Sequence, residues 1–158
     1  GIPTSLRAVG HNIVSDNNGV DLVSTTYEYP EVDINGEKIK QHITASSTWV
    51  DNPRYPFEMS YKAVFENGIM ELHANGSCTY TPFNEDGSPG GITTIKNNTI
   101  YPTGWDKELA VFGQAIRSGK LPERGTVSDA HQTLAILQTE EQSVQNNGMK
   151  ADPRGLLE

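Results

Sequence analysis

From Phe57 to Phe65 the residues Phe57, Met59, Tyr61, Ala63 and Phe65 alternate with Glu58, Ser60 and Lys62. A two-residue period puts the two sets on opposite faces of a β-strand. Much of the chain from Thr4 to about Ile100 reads in the same way. Segments rich in Val, Ile, Thr, Tyr and Phe are separated by Asn18-Gly19, Asn35-Gly36, Asn67-Gly68, Asn75-Gly76 and Asp86-Gly87, pairs that suit tight hairpins. The pattern predicts strands over Thr4 to Gly10, Val20 to Tyr29, Lys38 to Val50, Pro56 to Glu66, Gly68 to Gly76, Cys78 to Phe83 and Ile92 to Tyr101. It also predicts a sheet with one face covered and one wetter.

After Ile100 the period changes. Leu109, Phe112, Ala115 and Ile116 fall on one side of a helix that starts near Thr103 or Gly104 and stops at Gly119, and Pro122 keeps it stopped. A second helix opens at Thr126 or Ser128, either of which can cap it, with Asp129 in the first turn near the positive end of the helix dipole. Val127, Ala130, Leu134, Leu137 and Val144 mark its apolar side, and Gly148 is its expected C-cap. Strands followed by terminal helices give the α+β class. The expectation is an open, mainly antiparallel sheet of about six to eight strands, with two C-terminal helices packed on one face. The domain is expected over 1–148, with 149–158 as an extended tail.

Composition narrows the function classes. A length of 158 residues suits one domain with a real core. The 20 acidic residues outnumber the 12 Lys and Arg to leave a net charge of −8, which repels a phosphate backbone, so no nucleic-acid partner is expected. No apolar run approaches the roughly 20 residues needed to cross a bilayer, so no membrane partner is expected either. Cys78 stands alone, so an intrachain disulfide is excluded and a reducing, cytoplasmic setting fits. A chain opening GIPTSLRAVG without Met reads as processed or cut, and Leu157-Glu158 as a remnant.

Few residues suggest chemistry by themselves. His11, His42, His73 and His131 lack the spacings that aim two ligands at one metal, so no metal site is expected. No nucleophile elbow is present, and Ser88-Pro89-Gly90-Gly91 sits between strands as a turn. No strand leads through G-x-G-x-x-G into a helix, the arrangement that seats a dinucleotide pyrophosphate. The pairs Glu85-Asp86 and Glu140-Glu141 read as solvated surface.

The last third resembles the C-terminal end of the Gfo/Idh/MocA family of nicotinamide-dependent sugar and polyol oxidoreductases. The matching positions are Glu108, Phe112, Ile116, Gly119, Pro122, Asp129, Ala130, Ser143 and Gly148, with Trp105 where the family often has Tyr. Upstream, SYKAVFENGIMELHANG resembles the strand, Asn-Gly turn and strand of the same domain, and GIPTSLRAVG the first strand after that family's catalytic helix. The resemblance implies a substrate-binding and oligomerisation domain of an NAD(P)-dependent oxidoreductase or dehydrogenase acting on a sugar or polyol. It further implies that NAD or NADP is held by the protein's own N-terminal Rossmann domain. The family's catalytic Lys, Asp and His have no counterparts here, so this stretch by itself is expected to bind no cofactor and to be inactive.

The substrate-binding candidates are Trp105, Tyr101 and Arg54. In some family members the aromatic before the penultimate helix lines the sugar pocket, whereas the plainer reading makes Trp105 a staple packed on the sheet. Lys62 is a further cation able to meet a polar substrate. Tyr27, Tyr29, Trp49 and Tyr61 are expected to populate an open sheet face through which a homo-oligomer forms, the plainer reading being that they pack beneath the helices. Two other readings stand beside the oxidoreductase one. One is a stand-alone carbohydrate- or small-ligand-binding module; the other is a structural assembly module without enzyme activity.

Overall fold

The computed structural model of the chain describes residues 1–13, 19–49, 54–55, 57–95 and 104–157. Its strands are β1 (Ser5–His11), β2 (Leu22–Ile34), β3 (Glu37–Thr48), β4 (Tyr61–Phe65), β5 (Gly68–Leu72), β6 (Cys78–Pro82) and β7 (Thr93–Ile95). Two helices follow, α1 (Gly104–Ser118) and α2 (Val127–Gln145), and then a short 3-10 helix over Pro153–Leu156. This is the expected α+β class, antiparallel throughout. The seven strands divide into a sheet β1-β2-β3 and a sheet β4-β5-β6-β7. The chain forms two compact units, Gly1–Asn52 with Val111–Glu158, and Pro53–Ala110.

In the first unit, β2 and β3 form a long hairpin closed by Asn35 (φ 55°) and Gly36 (φ 88°). Both central residues lie in the left-handed region, as a type I′ turn requires. β2 runs five residues beyond the expected end at Tyr29, through Pro30. The ladder shifts register between Glu28 and Glu31, and this bulge is where a residue without an N–H can sit inside a strand. The expected hairpin at Asn18-Gly19 includes Asn18, which lies outside the described residues.

Register aligns Leu6, Tyr27 and Ile43 in one cross-strand row and Ala8, Thr25 and Ala45 in the next. These rows face α2. Leu6, Ala8 and Thr25 are buried there against a helix line of Ala135, Thr139 and Ser143. The buried line of α2 is therefore made of small and hydroxylated residues, and the expected stripe of Val127, Leu134 and Leu137 is exposed. Small side chains let the helix lie close to β1, and their hydroxyls find partners. The Ser143 hydroxyl accepts from the Ala8 N–H at 2.9 Å and donates to the Met149 carbonyl at 2.7 Å.

Thr126 caps α2 in a reciprocal box. Its hydroxyl accepts from the Asp129 N–H at 3.2 Å, while the Asp129 carboxylate accepts from the Thr126 N–H at 2.9 Å. At the other end the Asn147 N–H donates to the Val144 carbonyl and the Gly148 N–H to the Ser143 carbonyl. Asn147 (φ 57°) thus occupies the left-handed position that ends the helix, one residue before the expected glycine. The segment after Gly148, expected to be simply extended, turns along the outer edge of β1. Leu6 and Ala151 exchange both backbone hydrogen bonds, at 2.9 and 3.0 Å, before the 3-10 helix begins. An exposed edge is thereby paired.

In the second unit, β4 to β7 form a meander. Gly68 is fixed by close approach: a Cβ there would lie 2.6 Å from the Thr81 carbonyl oxygen and 2.8 Å from the Tyr80 ring. β4 begins at Tyr61, shorter than the alternation predicts, and Phe57 and Met59 precede it as exposed residues. The expected last strand keeps Thr93–Ile95, and its remainder after Ile95 is not among the described residues beyond Ile95 itself. α1 crosses from the second unit into the first and buries none of its residues.

Candidate functional site

Trp105 is the second residue of α1 and is 75% exposed. A staple packed on a sheet would be largely covered, so the indole is presented to solvent at the helix start. Arg54 is exposed in the turn region ahead of β4, within the same unit as Trp105. Tyr101 lies outside the described residues. Lys62 is exposed on β4, and its ammonium pairs with the Glu71 carboxylate across the β4–β5 ladder at 3.2 Å.

At the other end of α1 the chain folds back and leaves an open recess of about 610 Å³. Val111, Ala115, Leu121 and Pro122 supply its apolar wall, and Gln114, Ser118, Lys120, Glu123 and Arg124 its polar groups. Lys120 and Arg124, two of the 12 basic residues, lie close together in the sequence and both line this recess, a clustering that hydrophobic periodicity does not register. A second recess, of about 220 Å³, lies beside α2 between Val20, Val23 and Leu137, with Glu140 and Glu141 at its rim.

Tyr27, expected on the open face, instead points beneath α2, where its hydroxyl donates to the Glu140 carboxylate. Burial, and then this carboxylate, push the phenol well above its ordinary range. The uncovered side of the first sheet carries the rows Arg7, Thr26, Thr44 and Val9, Ser24, Ser46, a surface of hydroxyls rather than of aromatic rings. Tyr29 is half-buried on β2, while Trp49 and Tyr61 are exposed.

Glu28, at the middle of β2, gathers charges from several segments. It accepts from Lys150 at 2.8 Å, Ser5 at 3.2 Å and Lys40 at 3.5 Å. The bond from Lys150 is the main reason its carboxyl is held down to about 2. Among the described residues no three His, Cys, Asp or Glu side chains are grouped to hold a metal ion. His73 hydrogen-bonds the Thr79 hydroxyl at 3.0 Å, and Cys78 is a half-buried free thiol. No helix among the described residues is long and apolar enough to cross a membrane.

No family model and no curated protein matches the chain by sequence. Several solved structures share its fold. An oxidoreductase from Agrobacterium radiobacter, in complex with NAD+, L-tartaric acid and magnesium, has a TM-score of 0.65 and 16% identity, over 99% of this chain and 45% of that one. An oxidoreductase from Sinorhizobium meliloti has a TM-score of 0.66 and 16% identity, over 94% of this chain and 46% of its own. An aldose-aldose oxidoreductase from Caulobacter crescentus, complexed with glycerol, has a TM-score of 0.66 and 14% identity, over 96% and 41%. The chain thus spans less than half the length of these neighbours, and at such identity the likeness is one of fold.

Proposed function

We propose that the chain is the substrate-binding and oligomerisation part of an NAD(P)-dependent oxidoreductase of the Gfo/Idh/MocA type acting on a sugar or polyol. The observation that carries this is the asymmetry of coverage. Between 94 and 99% of this chain falls inside the likeness, against 41 to 46% of each neighbour, as expected of one part of a larger oxidoreductase fold. The motif resemblance from Glu108 to Gly148 supports it independently. On this reading a preceding Rossmann domain binds NAD or NADP and supplies the catalytic Lys, Asp and His, and the protein works in the cytoplasm. The stretch considered alone binds no cofactor and transfers no hydride.

The substrate contacts are assigned to Trp105, Tyr101 and Arg54. An exposed indole at a helix start offers a flat apolar face and one N–H donor, which suits a molecule with C–H faces and hydroxyl edges. Arg54 adds a cationic fork for hydroxyl or carboxylate oxygens. The oligomer is assigned to the uncovered hydroxyl-rich face of β1-β2-β3.

The deciding experiment is to read the gene upstream of Gly1. A strand, G-x-G-x-x-G and helix in the same frame, with a later Glu-Lys-Pro element, is the expected result. Translation starting at Gly1 would sink the proposal in favour of a stand-alone binding or structural module. Calorimetry against a panel of sugars and polyols then separates those two, with heat of binding marking the former.

A further inference from the structure

α1 ends at Ser118, and residues 120 to 124 share a recess with its last two turns. Gly119 (φ 65°) supplies the left-handed step that turns the chain back. The Ser118 hydroxyl braces this turn, donating to the Ala115 carbonyl and accepting from the Lys120 N–H, each at 3.3 Å. At about 610 Å³ the recess is of a size that takes a small molecule. Its lining is of two kinds. Val111, Ala115, Leu121 and Pro122 are apolar, and Leu121 is 89% exposed. Gln114, Lys120 and Arg124 are donors, and among the described residues none of these three side chains is held in a hydrogen bond or an ion pair.

We propose that this recess binds an organic carboxylate with an apolar body, its carboxylate meeting Lys120 and Arg124 and its body lying over Leu121, Pro122 and the α1 wall. The site is independent of the oxidoreductase reading, since it lies at the opposite end of α1 from Trp105. Charge selects the ligand. The chain carries a net −8, yet this recess is lined by two cations, Lys120 and Arg124, and one carboxylate, Glu123. The charge of Arg124 is felt by Asp129, but that carboxylate already accepts from the Thr126 N–H and hydroxyl. A surplus of one positive charge matches a monoanion. A phosphate dianion would be opposed by Glu123 and by the negative end of α1, and would leave the apolar wall in water. A carboxylate suits the fork of Arg124, whose parallel N–H groups can meet both of its oxygens.

The test is a titration of the 158-residue chain with sodium benzoate, followed through the backbone amide resonances by heteronuclear NMR. Saturable shifts confined to residues 111–124 are expected, with a Kd of about 1 mM. Benzyl alcohol keeps the ring without the charge, and inorganic phosphate keeps charge without the ring. Each is expected to bind at least about tenfold more weakly than benzoate. Lys120→Ala with Arg124→Ala should weaken benzoate binding about tenfold, and Glu123→Gln should tighten it about threefold. All three side chains are exposed, so resonances away from the recess should keep their positions in these variants. Absent or scattered shifts with benzoate overturn the inference. So does benzyl alcohol binding as tightly, which makes the recess a merely apolar groove, or phosphate binding as tightly, which makes it a bare anion patch. Benzoate affinity unchanged in the double variant overturns it too. If the double variant loses its folded spectrum, Glu123→Gln decides alone, and benzoate binding that fails to tighten overturns the assignment.

Discussion

The Ser143 hydroxyl holds three segments at once: α2, which carries it, the Ala8 N–H on β1, and the Met149 carbonyl after the helix. Ser143→Ala leaves a buried donor without its acceptor. It is expected to destabilise the chain by about 1–3 kcal/mol, read as a lower urea midpoint at an unchanged slope. Ser143 was legible as a position in the family pattern, but its role was not, since no rule of periodicity places a buried hydroxyl opposite a strand N–H. Tyr27 shows the same limit. Alternation assigns it to a face without saying which face the helix takes, and its bond to Glu140 depends on a helix 113 residues away in sequence. On the proposed oxidoreductase reading Trp105 meets the substrate, and Trp105→Phe in the longer protein removes only the N–H donor and part of the ring. Steady-state kinetics should show KM for the polyol rising about 3–10-fold, the size of one hydrogen bond. An unchanged KM removes Trp105 from the substrate contacts.

At the scale of elements, the boundaries set by local chemistry were readable and those set by distant packing were not. Thr126 and Asp129 announce the start of α2, and the reciprocal capping box is where the pattern puts it. Thr126→Ala should cost about 1 kcal/mol and lower the melting temperature. By contrast, the side of α2 that meets the sheet was misjudged from the sequence. Large apolar residues mark its outer line, while the inner line of Ala135, Thr139 and Ser143 is selected by close approach to β1 rather than by hydrophobicity. The C-terminal segment was hidden for a related reason. Its composition gives no strand signal, yet Ala151 pairs with Leu6 because β1 would otherwise end the sheet with open backbone groups.

The closure by the C-terminal segment brings together charged and hydroxyl groups from three further elements at one carboxylate of the first unit. Lys150 from that segment, Lys40 from β3 and Ser5 from β1 all meet Glu28 on β2. Its carboxyl is held at about 2 against an ordinary 4.5. A depressed carboxyl stabilises the fold wherever it is ionised in both states. That contribution is therefore complete above about pH 4.5 and is lost as the pH falls toward 2. Urea midpoints measured from pH 6 down to pH 2 should accordingly decline for the parent chain. Glu28→Gln cannot titrate at this position, so its decline over the same window should be shallower, with the two curves converging at the acid end. Because the ion pairs are solvent-exposed, 0.5 M salt should shrink the difference between the two curves. Parallel curves across the window would mean that Glu28 is a bystander, and that the C-terminal segment is held by the Leu6–Ala151 backbone bonds and by Ser143 alone.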